Sequence, residues 1–93
     1  MTKTAFITGA TSGIGEGATR AFVEAGWRVV ATGRRADRLE ALARSVGEDR
    51  VRTLAFDVRD EAARDAALAT LEPDFAEPDL LVNNAGLALG TAA

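Results

Sequence analysis

The sequence predicts an α/β fold built on a four-stranded parallel sheet, and three observations carry that prediction. Short apolar runs alternate with stretches of helical periodicity, the pattern of strands joined by helical crossovers. The first run is followed at once by three glycines spaced G-x-x-x-G-x-G and then by a helix, the order required of a phosphate-binding turn. Polar and glycine-rich residues recur after every apolar run, so a parallel arrangement gathers them along one edge. The order β-α-β-α-β-α-β with right-handed crossovers gives the spatial strand order 3-2-1-4 in one domain over residues 1–93. Ligands of such sheets bind beyond the carboxyl ends of the strands, at the switch point between strands one and four.

The first strand is Thr4 to Thr8. Gly9 lets the chain leave it sharply, Gly13 lets backbone approach a pyrophosphate, and Gly15 lets the next helix pack closely on the strand. Ser12 is placed as N-cap or as a direct phosphate donor. From Ile14 the apolar positions Ile14, Ala18, Ala21, Phe22 and Ala25 predict the buried face of a helix that stops at Gly26. Gly17, inside that helix, costs about 1 kcal/mol relative to alanine and marks an expected close approach to the sheet or a ligand.

Trp27 to Thr32 is the second strand, with Val29, Val30 and Ala31 as the continuous apolar run of a strand covered on both faces. Gly33, Arg34 and Arg35 close it, and Leu39, Leu42, Ala43 and Val46 mark a second helix ending at Gly47. Val51 to Phe56 is the third strand, with Asp57 at its carboxyl end. Asp60 caps an alanine-rich helix running to about Leu71, and Glu72 to Asp79, bracketed by Pro73 and Pro78, reads as a surface loop. Leu80 to Asn83 is the fourth strand, followed by Asn84, Ala85 and Gly86.

Composition narrows the chemistry. Hydrophobic residues make up 47% and charged residues 27%, the balance of a globular chain. The net charge of -3, without a run of like charges, offers no electrostatic footprint for nucleic acid or an anionic membrane. Cysteine and histidine are absent, which removes thiol nucleophiles, imidazole bases and the usual zinc ligands, and no metal site is expected. With no apolar run of signal-peptide or membrane-spanning length, the expectation is a soluble cytoplasmic protein.

Dinucleotide-binding sheets choose between cofactors at the end of the second strand, where a carboxylate binds the ribose 2′-OH and repels a 2′-phosphate. Gly33 stands where that acid is expected, eighteen residues after Gly15, and Arg34 and Arg35 follow. A guanidinium clamps a phosphate through parallel charge-assisted hydrogen bonds, so NADP(H) is predicted over NAD(H), with Arg34 as the principal contact. Asp57 is placed to accept from the adenine amino group, beside the Val58 backbone. Asn83 and Asn84, at an expected buried strand end, tie the loop to the neighbouring strand and line the cofactor ribose.

These residues carry a family resemblance. Thr8-Gly9-Ala10-Thr11-Ser12-Gly13-Ile14-Gly15, Asp57 and Asn83-Asn84-Ala85-Gly86 resemble the T-G-x-x-x-G-x-G, adenine-site Asp and N-N-A-G motifs of the short-chain dehydrogenase/reductase family. The resemblance covers essentially the whole chain. It implies a Rossmann fold and NADP(H) binding by Gly9, Thr11, Ser12, Gly13, Ile14, Gly15, Arg34, Arg35, Asp57, Val58, Asn83, Ala85 and Gly86. It also implies hydride exchange with an alcohol or carbonyl substrate, and a homo-oligomer, since intact members are commonly dimers or tetramers. Thr32-Gly33-Arg34-Arg35 is similar to NADP-preferring members, including those acting on serine and other 3-hydroxy acids.

In that family a tyrosine and a lysine four residues apart, with a serine and a further asparagine, transfer the proton in the second half of the fold. This chain has no tyrosine, its only lysine is Lys3, and its only serines are Ser12 and Ser45. No residue is therefore assigned to catalysis. The chain reads as the cofactor-binding half, lacking the second half of the fold and expected to show no turnover alone. The reading from another class is a non-catalytic dinucleotide-binding module or redox sensor. A methyl-donor-binding domain fits the glycines less well and leaves the arginine and asparagine pairs without a role. Without a fifth strand, the edge of the fourth is expected to make the chain marginal or self-associating.

Overall fold

The structure is a computed structural model that describes residues 2–57 and 59–83. Its elements run β1 (Thr4–Thr8), α1 (Gly13–Glu24), β2 (Arg28–Gly33), α2 (Ala36–Val46), β3 (Val51–Ala55), α3 (Glu61–Leu68), α4 (Pro73–Ala76) and β4 (Leu80–Asn83). The four strands form one parallel sheet in the order β3-β2-β1-β4, as the sequence predicts.

Strand alternation divides the core between the two faces. Ile7, Val29, Ala31 and Val51 point toward α1 and α2, where they meet Leu39, Leu42 and Ala43. Phe6, Val30 and Leu54 point the other way, toward Phe56, Phe75 and the half-buried Ala63, Ala67 and Leu68. The result is a helix–sheet–helix sandwich whose β2 is covered on both sides, which accounts for its uninterrupted apolar run.

The helix ends follow local chemistry. Ser12 caps α1 by accepting from the Gly15 N–H at 3.1 Å, and Asp60 caps α3 by accepting from Ala63 at 3.0 Å. Gly26 and Gly47, at φ of 90° and 118°, terminate α1 and α2 in backbone conformations that side chains disfavour.

Two expectations about packing need correction. The face that α1 lays on the sheet is Gly15, Ala18, Thr19, Phe22 and Val23, whereas Ile14, Ala21 and Ala25 are exposed. Counting apolar side chains overlooks Gly15, which contributes no side chain and so permits close approach. It also overlooks Thr19, whose buried hydroxyl donates to the Gly15 carbonyl at 2.9 Å and is thereby satisfied. Gly17 lies on the exposed side with nothing within 4 Å of where a Cβ would project, so it marks no approach to the sheet.

The second correction concerns the segment after α3, which ends at Leu68 rather than near Leu71. The stretch read as a loop contains α4, with Pro73 in its first turn and Phe75 only 3% exposed. The Phe75 ring lies 4.4 Å from the Arg52 guanidinium carbon and 5.8 Å from that of Arg28. Arg52 in turn holds Glu72 at two points, 2.7 and 3.3 Å. An aromatic anchor and an ion pair thus fasten the crossover beneath the sheet before the chain enters β4. At that entry the Thr4 N–H donates to the Asp79 carboxylate and the Asp79 N–H to the Thr4 carbonyl, both at 2.8 Å.

β4 pairs with β1 on one side only among the described residues, and Leu80 and Leu81 are 41% and 61% exposed. No helix among the described residues is long and apolar enough to cross a membrane.

Candidate cofactor-binding site

Because all four strands run the same way, their carboxyl ends share one edge, and that edge collects Gly9 to Gly15, Arg34 and Arg35, Asp57 and Asn83. Val58, Asn84, Ala85 and Gly86 lie outside the described residues.

The cradle is a turn held by its own backbone. Gly9 takes φ 62°, a conformation open to glycine, and reverses the chain at the end of β1. The Ala10 N–H donates to the Thr32 carbonyl at 3.0 Å and fixes the turn to the neighbouring strand. Ser12 closes it: its N–H and its hydroxyl both donate to the Gly9 carbonyl, at 3.1 and 2.9 Å, while its oxygen accepts from Gly15. Ser12 therefore acts as the cap, with its hydroxyl proton directed to Gly9.

Gly13 and Ile14 supply the first-turn N–H groups, which have no intrahelical carbonyl to receive them. The space where a Gly13 Cβ would project is open, and Ile14 is 67% exposed. Backbone donors, the positive end of the α1 dipole and room above them are what a pyrophosphate needs, so the residues fit that group. Beside the turn, a hollow between α1 and α2 reaches the cradle at Thr11.

At the end of β2, Gly33 is buried and its φ is not positive. A Cβ there would meet Thr11 and Leu39 at 3.7 Å, an ordinary van der Waals distance, so the backbone does not demand glycine. Arg34 is exposed and makes no ion pair among the described residues. Arg35 makes a loose 3.9 Å contact with Asp37, both side chains being mostly exposed.

Asp57 is clasped by a residue that sequence reasoning missed. The Arg59 N–H and Nε donate to Asp57 Oδ1 at 2.9 and 3.2 Å, and Nη2 donates to Oδ2 at 2.9 Å. The guanidinium hydrogen bond, then the backbone one, hold the Asp57 carboxyl at about 2, with a smaller through-space pull from Arg59 and Arg34. The signal was present in the sequence: an aspartate two residues before an arginine can form a side-chain-to-backbone turn whose end is also an ion pair.

Asn83 is exposed rather than buried, and its side-chain oxygen accepts from the Thr8 hydroxyl at 3.1 Å, joining the ends of β4 and β1. Thr32 does the same between β2 and β1 through a buried 3.2 Å bond to the Ile7 carbonyl. Strand-end side chains thus brace the floor of the crevice.

Residues 3–93 match the short chain dehydrogenase family. The chain is 56% identical over 92 residues to the serine 3-dehydrogenase of Agrobacterium fabrum (strain C58), a match covering 99% of this chain and 36% of that protein. It is 52% identical over 84 residues to an NADP-dependent 3-hydroxy acid dehydrogenase of Salmonella typhi, covering 90% of this chain and 34% of that one. The closed form of a serine dehydrogenase complexed with NADP+ superposes with a TM-score of 0.79 at 41% identity, over 84% of this chain and 31% of the other. The chain thus spans about a third of the length of the relatives it matches. With the glycine turn, the strand order and this match in agreement, the chain belongs to the short chain dehydrogenase family.

Proposed function

We propose that the chain is the NADP(H)-binding part of a short-chain oxidoreductase that passes hydride between a nicotinamide cofactor and an alcohol or carbonyl substrate, with 3-hydroxy acids as the substrate class. The observation that carries the cofactor choice is Arg34: an exposed guanidinium without an ion-pair partner among the described residues, next to a Gly33 that sets no carboxylate at the end of β2. The relatives supply the substrate class, one being a serine 3-dehydrogenase and another an NADP-dependent 3-hydroxy acid dehydrogenase.

In this reading the Gly13 and Ile14 amides and the α1 dipole hold the pyrophosphate, while Gly9, Thr11, Ser12 and Gly15 shape the turn. Arg34 and Arg35 hold the 2′-phosphate, Asp57 accepts from the adenine amino group, and Asn83 lines the ribose. Val58, Ala85 and Gly86 complete the proposed set. When bound, the nicotinamide supplies or accepts the hydride. The chain's own part is to bind and orient: it contains no tyrosine, and Lys3 precedes β1 and lies over the Trp27 ring at 5.6 Å. We also propose a cytoplasmic location and assembly as a homo-oligomer.

Titration of the wild type and Arg34→Ala with NADP+ and NAD+ tests the reading. The expected result is a loss of about tenfold or more for NADP+, as for one charge-assisted contact, with little change for NAD+. Equal losses for both cofactors would remove the 2′-phosphate assignment. A second reading is a dinucleotide-binding module without catalysis. It requires a monomer with a cooperative melt, whereas the enzyme-part reading leaves β4 prone to association.

A further inference from the structure

Asp57 and Arg59 share more than charge. A carboxylate oxygen accepts at two lone-pair positions. Both positions of Oδ1 are taken, one by the Arg59 N–H at 2.9 Å and one by Nε at 3.2 Å. Among the described residues Oδ2 receives a single donor, Nη2 at 2.9 Å. One acceptor position of Asp57 therefore stays open, and it is on the oxygen whose direction the Arg59 side chain sets.

The two ends of the clasp differ in exposure. The Asp57 side chain is 35% exposed at the end of β3, while that of Arg59 is 79% exposed. Among the described residues the exposed Arg59 side chain hydrogen-bonds to Asp57 alone. An aspartate at the end of a strand has a broad, soft terminal torsion. With the backbone N–H alone, Oδ1 would stay anchored and Oδ2 would swing. The side chain supplies the second and third points that stop the rotation.

We propose that Arg59 is a positioning residue for base recognition, holding the open acceptor position of Asp57 Oδ2 toward a purine 6-amino group so that the chain distinguishes adenine from a 6-oxo purine. The inference rests on the reading of the chain as a dinucleotide binder and adds to it a residue that does not itself touch the ligand. An amino group at position 6 donates to the fixed oxygen. An oxo group there offers only lone pairs, so oxygen faces oxygen and the contact is repulsive.

The test is equilibrium titration, by calorimetry, of the wild type, Arg59→Ala and Arg59→Lys with NADP+ and with its hypoxanthine analogue, which carries oxygen in place of the amino group. The wild type is expected to prefer NADP+ by about tenfold, the effect of one hydrogen bond to a charged acceptor. Arg59→Ala is expected to bring the two affinities to within about twofold, mostly by weakening NADP+, with the melt at neutral pH lowered by no more than an exposed ion pair contributes. Arg59→Lys, which restores one donor and the charge, is expected to recover part of the preference. An undiminished or enlarged preference in Arg59→Ala overturns the role of Arg59 while leaving dinucleotide binding in place. Binding of neither dinucleotide by the wild type overturns the dinucleotide reading and this inference with it.

Discussion

Thr11 packs against Gly33: a Cβ placed on the glycine would stand 3.7 Å from the threonine hydroxyl oxygen and 3.8 Å from its methyl carbon. The cradle and the end of β2 are therefore in contact, and whatever side chain occupies position 33 stands at the carboxyl edge of the sheet beside the glycine turn. Gly33→Asp is expected to fold, to weaken NADP+ by about tenfold or more through charge repulsion, and to improve NAD+. Gly33→Ala, which adds the Cβ without the charge, is the control. If alanine costs NADP+ as much as aspartate does, volume and not charge decides the cofactor.

The cap at Ser12 serves the turn and the helix together. Ser12→Ala removes the hydroxyl that binds Gly9 and receives Gly15, and is expected to lower stability by about 1 kcal/mol, within the usual range for a lost N-cap. Urea denaturation measures this, and the dinucleotide affinity is expected to fall as well, because the released Gly15 amide no longer fixes the first turn. An unchanged affinity would separate the cap from the binding site.

Phe75 anchors the short helix that sequence reading takes for a loop. Phe75→Ala is expected to cost about 3–5 kcal/mol, a large share of the stability of a small domain, and to lower the denaturation midpoint accordingly. Replacement by leucine, which keeps much of the buried volume, is expected to restore most of it.

Acid stability follows from two carboxylates. Asp57 is held at about 2 by Arg59 against an ordinary value of 3.8, and Glu72 is held below its usual range by Arg52. For a depressed carboxyl the unfolded chain binds the proton first, so the stabilising effect of Asp57 is complete above about pH 5 and is lost as pH falls through about 2. Thermal melts of wild type and Arg59→Ala are expected to show a difference that shrinks steadily across that window. A difference undiminished at pH 2 would assign the effect to something other than the Asp57 carboxylate.

Leu80 and Leu81 project from opposite faces of an edge strand without a charge or proline among its four residues. Sedimentation is expected to show association that grows with concentration and is reduced in Leu81→Lys. A strictly monomeric wild type at high concentration would mean that the edge is protected.

Much of the fold was legible because strands and turns announce themselves locally. The run Val29-Val30-Ala31 needs burial on both faces, and Gly26 and Gly47 stand where helices must stop. The strand order follows from handed crossovers once four strands are counted. What escaped depends on where particular side chains turn once the chain has folded. The orientation of α1 turns on Thr19, polar in the sequence and buried in the structure because a carbonyl one turn back receives its hydroxyl. α4 exists because Phe75 finds Arg52 and Arg28, residues of two strands that come earlier in the chain. At the site, Asp57 was visible from its place after a strand, whereas Arg59 matters only through where its guanidinium bends.

The one-sided pairing of β4 has a kinetic consequence. β1 and β2 each lie between two neighbours, while β4 is held laterally by β1 alone among the described residues. β3 is the other outer strand, but its Val51 and Leu54 are buried whereas Leu80 and Leu81 are exposed. Amide exchange should therefore be slowest in the middle of the sheet and fastest along β4, the wall of the crevice that carries Asn83. A dinucleotide settling there would slow exchange most in that wall, making β4 the strand whose isotope uptake reports occupancy.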